Sequence, residues 1–367
     1  MALGKVNVNN LNQGQGEPTA IERHMLFIGL AAAVDDESQL FSVNAQTDLD
    51  TTLAAGNLLD QVKAAQLNGG QNWTAAIYAL AADEALSVGI THANEVQSFE
   101  AIVFCDQAAS SIDITSRHDE LISLNNRLGR FVFGISALPG IDAATQTWAT
   151  YEAATVALVD GLALPQLVVV PQLHGNNVGI LAGRLSNHSV SIADSPMRVA
   201  TGSVNGLGQI PVDSAEKPLQ LATLSVLAIN RLSVPQWYPD FAGIYWGDGS
   251  TLDAAGGDYQ YIENLRVVHK ASREVRLLAI QRVANRLLNS TPNSIQVNKS
   301  YFMKPLRNMS KTYTINGVTF PGDITVPKDG DITIGWPTNK HVVIYMVVRP
   351  YNSPKEITVN IMLDLSN

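Results

Sequence analysis

Cysteine, charge and long apolar runs are all scarce in this 367-residue sequence, and each scarcity excludes a class of function. Cys105 stands alone, so neither an internal disulfide framework nor a thiolate metal cluster is available. Charged residues make up 16% of the chain and sum to −9, which speaks against a general nucleic-acid binder, because phosphate contacts need clustered Lys and Arg. No apolar run approaches the roughly 20 residues needed to span a bilayer, so no membrane insertion is expected. Met1-Ala2-Leu3-Gly4-Lys5 is followed by no apolar core of signal length. A protein folded in a reducing cytoplasm is the expectation.

Catalytic signatures are missing as well. There is no G-x-x-x-x-G-K-[ST] phosphate loop and no G-x-S-x-G nucleophile elbow. Gly206-Leu207-Gly208 lacks the third glycine of a dinucleotide turn and follows no convincing strand. The seven histidines form no H-x-x-x-H or H-x-H pair, and Asp248, Asp253 and Asp258 lack the closing Glu of a calcium loop, reading better as turn residues. Cys105-Asp106, at a strand end, suits a packed thiol more than a nucleophile. Catalytic, cofactor-binding and metal residues are therefore expected to be none.

What is present is a folded composition, 46% hydrophobic, long enough for one large core or two moderate ones. Residues 1–22 are polar and Gly-rich around the short alternating piece Val6-Asn7-Val8 and read as an extended arm. Short apolar runs at Met25–Gly29, Ala101–Phe104, Arg130–Ile135 and Gln166–Pro171 read as strands, with Phe41–Asn44 as a further candidate. Ala/Leu-rich stretches at 50–67, 72–87, 116–129 and 143–162, with a further one at 176–187, read as helices. That alternation predicts a mainly parallel sheet covered on both faces. Residues 190–258 are loop-heavy, and such long connections tend to be functional or interfacial.

A long helix is predicted over 259–289, with Leu265, Val268, Ala271, Val275, Ala279, Val283 and Leu287 on one apolar stripe and Pro292 beyond its end. It carries Arg266, Lys270, Arg273, Arg276, Arg282 and Arg286 against only Glu263 and Glu274. A solvated face, contact with acidic surfaces of another copy, and nucleic acid are the readings open for this charge, although no aromatic platform interleaves it. β-structure follows, with an Asn316-Gly317 hairpin signal and strands near 331–336 and 342–350. The sequence ends in an alternation that would place Ile357, Val359, Ile361, Leu363 and Leu365 on one strand face. Such a tail needs a partner sheet for its backbone donors and acceptors.

Several stretches, in order, resemble the sheath proteins of contractile phage tails and related injection machines, most closely the compact Mu-like type. They are Gly4–Val8 with Leu26–Gly29, Val178–Leu185 after Val168–Pro171, Asp194-Ser195-Pro196, Tyr245–Ser250, Tyr261–Arg266 and Thr291-Pro292-Asn293. Asp248-Gly249 departs from the family's small-Arg-Thr sequence. The resemblance implies a structural subunit with no catalysis and no cofactor. Its partners would be itself, in six-fold rings stacked helically, the tail tube protein, and baseplate and tail terminator proteins, in a virion tail assembled in the host bacterial cytoplasm. Terminal arms would add strands to neighbouring subunits, and contraction would be a rigid-body rearrangement driving the tube through the host envelope.

The expected organisation is an arm (1–22), an α/β domain (23–230), a C-terminal α+β domain with the long helix (231–348) and a strand arm (349–367). Val6, Val8, Ile357, Val359, Ile361, Leu363 and Leu365 are the candidate arm contacts, and Arg266, Arg273 and Arg276 the candidate intersubunit ion pairs. The rivals are another virion component, such as tube or baseplate, and an α/β enzyme using His174 and Asp194 after Pro171.

Overall fold

The computed structural model describes residues 21–31 and 39–362. Val6, Val8, Leu363 and Leu365 lie outside the described residues. A seven-stranded sheet organises the first two-thirds of the chain. Its strands are β1 (Met25–Leu30), β2 (Leu40–Asn44), β3 (Thr74–Leu80), β4 (Ala101–Gln107), β5 (Phe133–Leu138), β6 (Leu164–Pro171) and β9 (Thr251–Leu252), in the order β2-β3-β1-β4-β5-β6-β9. The five inner strands are parallel, and β2 and β9 close the two edges antiparallel.

Both faces are covered, which is why the inner strands are apolar without alternation. Along β1, Met25 and Phe27 point into one core while Leu26 and Ile28 point into the other. The first core is roofed by α1 (Asn57–Gly69) and α5 (Asn177–Leu185). The second lies under α2 (Leu86–Val96), α3 (Ser111–Leu128), α4 (Trp148–Val159) and α6 (Leu221–Ile229). A small hairpin, β7 (Pro235–Tyr238) and β8 (Phe241–Trp246), sends Trp246 into the first core.

Residues 74–80 are a correction to the sequence reading, which placed a helix over 72–87. Thr-Ala-Ala-Ile-Tyr-Ala-Leu is strand β3, its last six residues buried. A short apolar run between turns has the same composition in a buried helix as in a strand roofed on both sides, and here sheet pairing decides.

The helix predicted over 259–289 is two helices. α7 (Ile262–Ile280) ends in turns that hold Ala284 at φ 55°, and α8 (Pro292–Met309) begins at the proline that was expected to stop the first. Proline suits this first helical position because its missing N–H has no intrahelical partner there. Thr291 caps α8 through Ser294 N–H. The predicted stripe is accordingly split. Leu265 and Ala271 are buried, whereas Val283 and Leu287 lie on the exposed turn. α7 and α8 enclose a third core with Ile324, Ile332 and Ile334.

Two hairpins complete the body. β10 (Tyr313–Ile315) and β11 (Val318–Phe320) turn at Asn316-Gly317 with φ 50° and 80°, the positive pair that a two-residue hairpin favours. β12 (Ile332–Thr338) and β13 (His341–Met346) form the other. This is an α/β sheet domain followed by helices and β hairpins, the class the sequence predicts.

Candidate intersubunit site

Residues 351–362 carry no helix or strand, and among the described residues no backbone hydrogen bond ties them to the body. Ile357, Val359 and Ile361 are 75, 73 and 90% exposed. Three large side chains at alternate positions thus lie in water. Covering each one is worth about 1.5–3 kcal/mol. The body also carries two-stranded sheets whose outer edges are unpaired among the described residues. Among the described residues β12 and β13 pair only with each other, and Tyr345 and Val347 beside them are exposed. A two-stranded sheet is marginal by itself and gains from further strands.

The root of this tail is fixed. The Lys355 ammonium reaches Asp248 at 2.5 Å and Glu263 at 2.9 Å, and sits 3.6 Å from the centroid of the Tyr261 ring. Glu263 is buried at the start of α7, and burial raises its carboxyl while Lys355 pulls it down. Just before, Arg349 pairs with Asp331 at 2.5 Å, and Thr325 N–H donates to Arg349 C=O at 2.8 Å. The sequence reading missed this anchor. Its one local signal was the unusual Asp248-Gly249, whose carboxylate now has a partner in Lys355.

Two of the three candidate intersubunit arginines are corrected. Arg266 is buried, its guanidinium forked onto Glu100 at 2.7 and 2.9 Å and donating to Leu185 C=O at 3.0 Å. Arg273 donates to Phe131 C=O at 2.8 Å and to Glu22 at 3.0 Å. Both lie on the face that α7 turns towards the start of β4 and the approach to β5, so their acids are internal. Arg23, in the left-handed region at φ 72°, donates its backbone N–H to Glu100 and its side chain to Val190 C=O at 2.6 Å. Burial alone would raise the Glu100 carboxyl, but Arg266 and then Arg273 and the Arg23 N–H outweigh it and hold it below the ordinary range. His269, in the same place, is pushed down to about 3 by burial and then by Arg273.

Arg276 is exposed and makes no ion pair among the described residues. It heads a larger feature. Between Glu274 and Asp323 the sequence has seven Lys/Arg and no Asp or Glu. Arg282 and Arg286 lie on the corner between α7 and α8, with Arg276 just before it, and exposed Leu277, Val283 and Leu287 accompany them.

The residues of the enzymatic rival have local duties. His174 N–H donates to Asn177 Oδ1 at 2.7 Å, and burial pushes the imidazole down to about 4. Asp194 pairs with Arg198 at 3.3 Å. Burial and then Asp106 push the Cys105 thiol well up, away from the thiolate a nucleophile needs. Among the described residues no group of three or more His, Cys, Asp or Glu could hold a metal.

The Gly-rich element after β6 is a packing device. Gly179 and Gly183, one turn apart on α5, let that helix lie on the backbone of α1, where added Cβ atoms would sit 2.0 Å from Gln61 C=O and 2.4 Å from Ala65 C=O. Gln61 closes the contact, accepting from Gly179 N–H at 2.8 Å and donating to Gly175 C=O at 2.6 Å.

This architecture is shared with sheath proteins of contractile machines. The sheath of the PVC extracellular contractile injection system, in its contracted state, superposes with a TM-score of 0.61 at 12% identity, over 100% of this chain and 98% of that one. The sheath tail protein of Listeria innocua gives 0.59 at 11% identity, over 92% and 94%. At these identities the likeness is one of fold. A chain of Haemophilus phage HP1 (strain HP1c1) named as a tail sheath protein is 44% identical over 374 residues, covering 99% of this chain and 98% of that one. Fold and relatives together define a tail sheath protein, a structural subunit of the virion tail and not an enzyme. The family models described as DUF2586, N-terminal domain, and DUF2586, C-terminal domain, match residues 3–250 and 258–366, and the chain belongs to that family.

Proposed function

We propose that copies of this subunit polymerise around the tail tube as six-fold rings stacked helically, joined by strand exchange through arms at 1–22 and 349–367. The observation that carries this is the presence in one subunit of both an exposed alternating tail, Ile357, Val359 and Ile361, and hairpin sheets with open edges. Added strands satisfy both sets of backbone groups while the apolar side chains leave water. Leu363 and Leu365 continue the same face in sequence, and Val6 and Val8 give the opposite arm its own alternating pair. The basic corner headed by Arg276 then meets an acidic surface of a neighbouring copy, the remainder of the chain being strongly acidic.

Contraction on this reading is a rigid-body repacking of intact bodies that drives the tube through the host envelope, with the arms preserving connectivity. Its free energy is stored at assembly in the host cytoplasm, and baseplate and terminator proteins set the two ends. Deletion of 357–367 tests the reading. The truncated chain is expected to remain a folded monomer, with no tubes visible by electron microscopy under conditions where the full chain forms them. Normal tubes from the truncation would refute strand exchange.

A further inference from the structure

Both described arm roots are tied to one helix. At the first turn of α7, Glu263 holds Lys355, the root of the C-terminal arm. Ten residues on, Arg273 holds Glu22, the root of the N-terminal arm. At 1.5 Å per residue the two ties lie about 15 Å apart along the helix. Between them Arg266 holds Glu100, which also accepts the Arg23 backbone N–H. These ties join segments far apart in sequence and are mostly shielded, with side-chain exposures of 20% and 6% for Lys355 and Glu263 and of 11% and 17% for Arg273 and Glu22. Salt screens such pairs weakly, and removing one partner strands a buried charge.

We propose that Lys355 is the positioning residue that fixes the root of the C-terminal arm to α7. The proposal rests on the strand-exchange reading and adds a path for tension, from the C-terminal arm through Lys355 to α7, whereas the N-terminal arm stays held beyond Glu22 by Arg23 and by strand β1. The geometry shows why Lys355 matters. If it lets go, the next ties back along the chain are the Ile324–Pro350 bridge and Arg349 on Asp331. Five residues, 351–355, would be released, a segment of roughly 17 Å at full extension. Adjacent strands are only about 4.8 Å apart, so extending even part of that segment would let neighbouring bodies separate before any pull reached the body. Asp248, where the sequence departs from the sheath pattern, supplies the second carboxylate of this tie.

Single tubes of purified full-length protein, stretched to rupture in an optical trap, test the proposal. Lys355→Met and Arg273→Met keep the apolar stems and remove the charges, and neither touches residues 357–361. K355M is expected to form tubes of normal diameter that rupture at no more than half the wild-type force, whereas R273M tubes are expected to keep the wild-type force, because Arg23 and β1 still hold the N-terminal root. K355M tubes with wild-type rupture force would overturn the proposal, and so would an equal loss in R273M. If K355M is folded but forms no tubes, rescue by Lys355→Arg supports the positioning role and failure of rescue overturns it. If K355M does not fold, Asp248→Asn replaces it with the same expectation. Tubes of wild-type strength from the 357–367 deletion would instead refute strand exchange itself, so the two failures are distinct.

Discussion

Arg266 and Glu100, 166 positions apart, form a fork-to-fork ion pair in the interior, with Nε–Oε1 at 2.7 Å and Nη2–Oε2 at 2.9 Å. The pair joins α7 to the start of the central strand β4. Breaking a buried pair from one side leaves an uncompensated charge, which typically costs about 3–5 kcal/mol. Arg266→Met is expected to lose that much in urea unfolding of the monomer. The double change with Glu100→Met is expected to recover a large part, which a double-mutant cycle would read out.

The same junction gives the monomer a pH dependence through His269. Its folded-state value, about 3, lies below the ordinary 6.5, so the unfolded chain takes up a proton that the native one refuses. The stability tied to this group is complete above about pH 6.5 and is lost as pH falls towards 3. At about 1.4 kcal/mol per pH unit, roughly 2 kcal/mol disappears by pH 5. His269→Leu is expected to lose about that much less than wild type between pH 7 and pH 5. Equal losses in the two proteins would contradict the assignment.

Close approach of α5 to α1 depends on glycine. In Gly179→Ala the new methyl would lie 2.0 Å from Gln61 C=O, so backbone must move. A loss of about 2–3 kcal/mol is expected, visible as a lowered midpoint in thermal unfolding. Gly256→Ala is no neutral control, because Gly256 has φ 80° although its surroundings are open; Gly335→Ala, in open space and outside the left-handed region, is the better one.

Ile361→Asp should separate folding from assembly. The side chain is exposed in the single chain, so monomer stability is expected to stay within about 0.5 kcal/mol of wild type. Burying that carboxylate in a neighbour's sheet would be costly, and tube formation is expected to fail in sedimentation.

Strands β1, β4 and β6 were legible because each is rich in large apolar residues on both faces: Met25–Gly29, Ala101–Phe104 and Val168–Val170 are buried throughout. β3 was not, since Ala-rich sequence between turns suits helix and doubly covered strand alike. α8 was missed because its first turn is polar and Pro292 marks a helix start as readily as a stop. The tail was legible as an apolar alternation, whereas its anchor was not, because nothing near Lys355 in sequence shows that Asp248 and Glu263 surround it. Arg266 and Arg273 read as surface charge for the same reason. A helix displays its own charges, but the acids that neutralise these, Glu100 and Glu22, belong to distant segments.

Hydrogen exchange at the amides of residues 357–362, in the monomer and in assembled tubes, tests strand exchange most directly. In the monomer these amides are expected to exchange as fast as unstructured peptide, since no backbone partner holds them among the described residues. In tubes, incorporation into a neighbour's sheet is expected to slow them at least a hundredfold. Unchanged, rapid exchange at 357–362 in intact tubes would contradict the account.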